Sequence, residues 1–145
     1  MRPWVIVNGQ VMEGDRPAIV LDNRAYHYGD GVFESIRVVR GKPLFLESHW
    51  MRCQEGLKVL RIERPEGLDL HTLAQNIELL VQRTGILSGR CRLTIFREGR
   101  GQYRPESSTG GYTIELLPLS QEKYTLNETG LTVDIWPEMR KPVNV

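Results

Sequence analysis

The chain has 145 residues, 40% hydrophobic and 26% charged, with a formal net charge of +1 at pH 7. This composition excludes a disordered polymer and a membrane-spanning bundle, and the balanced charge gives no broad attraction to nucleic acid or to an anionic lipid surface. The length suits one domain of ordinary size with a continuous core. The opening "MRPWVIVNGQ" reaches a turn within eight residues rather than running on as an apolar leader, so a cytoplasmic location is expected.

"WVIVNGQVM" is a hairpin signal: apolar runs flank Asn8-Gly9, a pair that tolerates the positive φ angles of a type I′ turn. "AIVL" at 18–21 reads as a short buried strand. "VFESIRVV" alternates, with Val32, Glu34, Ile36 and Val38 on one face and Phe33, Ser35, Arg37 and Val39 on the other. Arg40-Gly41 turns the chain into "PLFL", a second hairpin. Ser48 is a candidate cap for a helix whose buried stripe is Trp50, Cys53, Leu57 and Leu60. A second helix starts near Asp69, turns Leu70, Leu73, Ile77, Leu80 and Val81 inward, and ends at Gly85.

Strands at roughly 90–97 and 111–118 follow, separated by the long loop "EGRGQYRPESSTG", and a last strand, "LTVDIW", precedes the terminal "PEMRKPVNV". Strands, two helices, then strands predict an α+β fold, with a mainly antiparallel sheet packed with the two helices on one side. Cys53 and Cys91 fall on apolar faces without metal-ligand spacing, so both read as buried hydrophobes and no metal is expected.

Three features carry candidate chemistry. Arg52 falls at the border of the first helix's buried stripe, in its expected first turn, with Gly56 leaving space beside it and His49 on the near edge. Guanidinium and helix dipole there suit a phosphate or carboxylate, although a solvated surface arginine has the same spacing. In "YHYGDGVFE", the glycines bend the backbone just before a strand. This places Tyr28 and Phe33 at the mouth of the sheet, and Arg37 shares the face of Phe33. In "FREGRGQYRP", Arg97, Arg100 and Arg104 crowd together with Tyr103. They call for an anionic ligand or for carboxylates, with Glu98 and Glu106 nearest in sequence. Together these make an anion site with aromatic walls.

"YHYGDGVFESIRV", a Gly-Lys-Pro hairpin and "LFLESHWMRC" resemble the N-terminal portion of the class IV aminotransferases, the fold-type IV pyridoxal-phosphate enzymes. The likeness continues through the His-x-x-Arg of the first helix, the arginine-bearing strand and loop at 97–104, and "LTVDIW". It implies the small N-terminal domain of D-amino-acid aminotransferase-like enzymes over 1–120. Residues 121–145 would then be an interdomain segment and the first strand of a second domain.

The resemblance implies pyridoxal 5'-phosphate as cofactor, with Arg52 holding its phosphate. Tyr28 and Phe33 would wall the substrate pocket, and Arg37, Arg97, Arg100 and Tyr103 would lie on its substrate side. Amino-acid and 2-oxo-acid substrates and a homodimer are implied too, with neither nucleic acid nor membrane as partner. "GDGVFES" lacks the small-residue pattern of branched-chain members, which leaves D-amino-acid-like and lyase-like members open. The family's Schiff-base lysine is expected after Val145. Lys42, Lys58, Lys123 and Lys141 are poor substitutes by position, so the chain alone is expected to be inactive. An aminodeoxychorismate lyase is the nearest alternative reading, and a non-catalytic binding domain another.

Overall fold

The computed structural model describes residues 4–15, 19–119 and 125–135. Its elements in chain order are β1 (Trp4–Val7), β2 (Gln10–Glu13), α1 (Arg24–Tyr28), β3 (Gly31–Val39), β4 (Lys42–Pro43), α2 (Leu46–Leu60), α3 (Leu70–Thr84), β5 (Gly89–Arg97) and β6 (Gly110–Pro118). The six strands form one antiparallel sheet in the order β2-β1-β6-β5-β3-β4. α2 and α3 cover one face of it, which is the expected α+β arrangement.

Both two-residue hairpins form where the turn chemistry places them. Asn8 and Gly9 have φ of 45° and 82°, and Arg40 and Gly41 have 50° and 75°, the doubly left-handed pattern that matches the twist of the flanking strands. The register Val7↔Gln10 and Val39↔Lys42 follows directly.

Strand alternation decides which side chains meet the helices. Ile36 and Val38 of β3, Cys91, Leu93 and Ile95 of β5, Ile114 and Leu116 of β6 and Ile6 of β1 are buried. They pack against Trp50, Cys53 and Leu57 of α2 and Leu73, Ile77 and Leu80 of α3. The helix stripes are therefore the ones the periodicity gives. Asp69 caps α3 by accepting from the Thr72 amide, and Gly85 closes it at φ 71°.

Four local expectations are corrected. The strand proposed at 18–21 does not form: Ala18 lies outside the described residues, and Ile19, Val20 and Leu21 are exposed. The Val20 carbonyl instead accepts from the Asn23 amide in a turn that leads into α1. α1 has no counterpart among the expected elements; Asn23 caps it and Gly29, at φ 64°, ends it. "PLFL" contributes only Pro43 to a strand, and α2 starts at Leu46 rather than after Ser48. Phe45 takes a left-handed φ of 53° to turn the hairpin straight into the helix, with no side-chain cap. Finally, residues 131–135 of "LTVDIW" are exposed and join no ladder among the described residues, and Trp136 lies outside them.

Candidate active site

β3 is the strand about which the candidate residues gather. β4 pairs only with its last two residues, so over residues 31–37 its ladder runs to β5 alone. That stretch is an edge with two chemically different faces.

On the helix-covered face the alternation points Glu34 inward with Ile36 and Val38, leaving its side chain 4% exposed. A carboxylate so placed must be paired. α2, packed over β3, supplies both partners. His49 Nδ1 lies 2.7 Å from Glu34 Oε2, Arg52 Nε donates to Oε1 at 2.8 Å, and Arg52 Nη2 donates to Oε2. Burial alone would push the Glu34 carboxyl up, but the hydrogen bonds from Arg52 and His49 outweigh it and hold the carboxyl below its ordinary value. Nδ1 of His49 is therefore the proton-bearing nitrogen, because an ionised carboxylate only accepts.

The fork of Glu34 fixes the plane of the Arg52 guanidinium, while two-thirds of that side chain is exposed and Nη1 has no partner among the described residues. Arg52 is thus a held cation with donors to spare, in the second turn of α2 rather than the first. Gly56 does not provide ligand space as expected. A Cβ there would lie 2.9 Å from Val32 Cγ1, so this glycine lets α2 approach β3 closely. The close approach brings Arg52 within reach of Glu34.

On the other face, Phe33 is 57% exposed and Arg92 of β5 stacks over its ring at 4.1 Å. Arg37 is half-buried on the same face, opposite Arg90 in the β3–β5 register. Tyr28, at the end of α1, is 55% exposed, and the Arg24 guanidinium lies over its ring, 4.9 Å from the centre. Tyr28 and Phe33 are thus both exposed rings, each with an arginine against it.

The loop 98–109 between β5 and β6 separates its arginines. Arg100 and Tyr103 are highly exposed, with Arg100 Nε 3.4 Å from Asp22 Oδ2. Arg97, expected on the substrate side, is 6% exposed and fully engaged in the framework. Nε donates to Asp30 Oδ2 at 3.0 Å, Nη2 to the Leu60 carbonyl at 2.6 Å, and Nη1 to the carbonyls of Arg61 and Ser107. It satisfies the C-terminal carbonyls of α2, which sequence distance hid. The carboxylates offsetting the loop cations are Asp30 and Asp22. Glu98 accepts instead from Asn8 Nδ2 at 2.8 Å.

Sequence reasoning missed Glu34 and Asp30, whose partners are distant in the chain, and Arg24. The signal for Glu34 was a lone acid on an otherwise apolar strand face. For Asp30 and Arg24 it was the Asn23 cap and Gly29 stop that fold both into one turn.

Lys42 and Lys58 are exposed on β4 and α2, and Lys123 and Lys141 lie outside the described residues. No cluster of three or more His, Cys, Asp or Glu suited to a metal occurs among the described residues. No helix there is long and apolar enough to cross a membrane.

Residues 31–144 match the family model described as amino-transferase class IV. Among curated relatives, an aminodeoxychorismate lyase of Bacillus subtilis (strain 168) is 30% identical over 91 residues, 63% of this chain and 30% of the lyase. A D-alanine aminotransferase of Bacillus licheniformis is 34% identical over 59 residues, 41% of this chain and 21% of that enzyme. Among solved structures, the branched-chain aminotransferase from Thermoproteus uzoniensis with norvaline superposes with a TM-score of 0.74 at 16% identity, covering 83% of this chain and 42% of that one. A Mycobacterium tuberculosis hypothetical aminotransferase in its PLP-bound form gives a TM-score of 0.64 at 25% identity, covering 79% and 39%. The chain thus spans less than half the length of these relatives.

Proposed function

The chain belongs to the class IV aminotransferases, and from that premise we propose that it supplies the phosphate-binding and substrate-facing half of a pyridoxal-phosphate enzyme. The complete protein passes the amino group of an amino acid or amine to a 2-oxo acid. The reading is carried by Arg52: its Glu34 fork leaves it oriented, charged and open on one side, which is what a terminal phosphate requires.

The residues present fit such a cofactor in part. Arg52 would hold the phosphate with the guanidinium donors that Glu34 leaves free, while Glu34 and His49 keep the fork from rotating. Phe33 and Tyr28 exclude water from the substrate side of the edge, and Arg100 and Tyr103 receive the substrate carboxylate from the loop tip. Arg37 adds positive charge on the same sheet face. Arg97 acts in this reading only through the loop it holds. Pyridoxal phosphate, when bound, supplies the electron-withdrawing ring that makes the amino carbon acidic. The amine that would anchor it, and the acid that would face its ring nitrogen, are in this reading supplied by a second domain. The small domain would then be 1–120. Residues 121–145 would lead into a second domain, and a homodimer in the cytoplasm would be the working form.

A lyase reading, releasing pyruvate and 4-aminobenzoate from aminodeoxychorismate, is favoured by one observation, the 91-residue match to the Bacillus subtilis lyase. The complete gene product distinguishes the two. Amino transfer from a D-amino-acid panel to 2-oxoglutarate or pyruvate is the expected result. 4-Aminobenzoate formation without transfer would select the lyase. Neither activity, with no pyridoxal phosphate absorbance retained on the protein after desalting, would leave a non-catalytic domain.

A further inference from the structure

Where β3 begins and β5 ends, two charged side chains from the α1 turn, Arg24 and Asp30, are packed with a third, Arg97, that is 67 residues from Asp30 in the chain. Asp30 Oδ2 accepts from Arg24 Nε at 2.7 Å and from Arg97 Nε at 3.0 Å, so one carboxylate oxygen serves two guanidiniums. The side chains are 8%, 7% and 13% exposed for Arg24, Arg97 and Asp30. Two buried cations this close are tolerable only with the anion between them. Main chain reinforces the pair, since the Arg97 amide donates to the Asp30 carbonyl at 3.1 Å.

The remaining donors of both arginines reach the loop 98–109 from opposite sides. Arg24 Nη1 donates to the carbonyls of Gly101 and, at 3.1 Å, Gln102, on the limb that rises to the tip. Arg97 Nη1 donates to the Ser107 carbonyl on the returning limb. Around the first of these holds the backbone turns sharply. Gly99 and Gly101 have φ of 92° and 102°, and a Cβ on Gly101 would collide with the Arg104 carbonyl. The fully exposed Tyr103 and the exposed Arg100 are carried on this tip.

We infer that Asp30, with Arg24 and Arg97, is a positioning cluster that sets where the loop tip presents Arg100 and Tyr103, and so determines how well the site recognises a substrate carboxylate. The inference rests on the functional reading above and names the residues through which that recognition is specified. Asp30 touches no substrate; it holds the two guanidiniums, and they hold the loop.

The test uses the complete gene product and three variants: Asp30→Asn, Asp30→Glu and Arg24→Lys. Arg24→Lys keeps a charge beside Asp30 but loses the fork that reaches the loop. For a carboxylate-bearing amino donor, Asp30→Asn is expected to raise KM about tenfold, the scale of one misplaced charged hydrogen bond, with a much smaller change in kcat. KM for a simple amine lacking a carboxylate stays within error, and so does pyridoxal phosphate affinity. Arg24→Lys shifts KM in the same direction, and Asp30→Glu recovers part of the loss.

Trypsin gives a readout independent of turnover. The Arg100–Gly101 bond is cut faster in Asp30→Asn and Arg24→Lys than in wild type, while Arg104 is protected by Pro105. Unchanged KM and unchanged Arg100 cleavage in an active enzyme overturn the positioning role. So does an equal loss on both classes of donor, which marks a merely structural cluster. A wild type that turns over no amino donor, with or without a carboxylate, refutes the functional reading and the positioning role with it, whatever the cleavage pattern.

Discussion

The Glu34–Arg52 pair is asymmetric, and mutating each side should have unequal consequences. Glu34 is 4% exposed and Arg52 67%. Arg52→Ala leaves a buried carboxylate with His49 as its one remaining side-chain partner. Breaking a fully buried pair costs about 3–5 kcal/mol, and solvent around Arg52 brings this to about 2–3 kcal/mol. Glu34→Gln instead releases an exposed guanidinium to water. The amide oxygen can still accept from Arg52 Nε, but its NH2 group opposes the Nη2 donors, for a loss of about 1 kcal/mol.

The double variant buries no charge, so it should be more stable than Arg52→Ala by about 1–2 kcal/mol. At about 2–4 °C per kcal/mol for a chain of this size, Arg52→Ala lowers Tm by about 5–10 °C and the added Glu34→Gln restores roughly 3–6 °C. Calorimetry or thermal circular dichroism at neutral pH measures it. A double variant no more stable than Arg52→Ala would refute the claim that the buried carboxylate needs its guanidinium.

Acid sensitivity should trace to two carboxylates. Asp30 and Glu34 both have folded-state pKa values below their ordinary 3.8 and 4.5, with neighbouring cations outweighing burial. Their stabilisation is fully present above those ordinary values and is lost as pH falls through the lower folded values. Asp30→Asn and Glu34→Gln should each flatten the decline of Tm below about pH 4.5, and a steeper decline would contradict the assignment. Cys53 and Cys91 are buried with thiols pushed up to about 12, so neither should react with a thiol reagent at about pH 8 until the protein is unfolded. Gly56→Ala should destabilise by roughly 1 kcal/mol, overpacking against Val32 exceeding the gain in helix propensity. A stabilised variant would show that α2 and β3 are not in close contact there.

Local chemistry was the part of the fold most readable in advance. Asn8-Gly9 and Arg40-Gly41 specify hairpins because both residues of each pair take positive φ, a property of the turn itself. The period of α2 and α3 names the core stripes for a similarly local reason. The same alternation put Glu34 on the buried face of β3, yet its partner is 18 residues away and meets it only because Gly56 lets α2 settle onto Val32. Arg97 misled for the reverse reason. The residues that follow it are polar and loop-like, so it resembled a ligand contact, whereas its partners Leu60, Arg61 and Asp30 come from elsewhere. α1, five residues long, has too little periodicity to register, and only its caps announce it. The exposed segment 131–135 shows the complementary failure: its β-branched run reads as a strand, but it has no ladder partner among the described residues.

Cofactor binding by Arg52 is tested most directly by titrating pyridoxal phosphate into the complete gene product carrying Arg52→Ala together with Glu34→Gln, the combination that removes the clamp without stranding a buried charge. One charge-assisted hydrogen bond is worth about 1.5–3 kcal/mol, so affinity should fall roughly 10- to 100-fold while the fold persists. A folded double variant that binds pyridoxal phosphate as tightly as wild type would contradict the account.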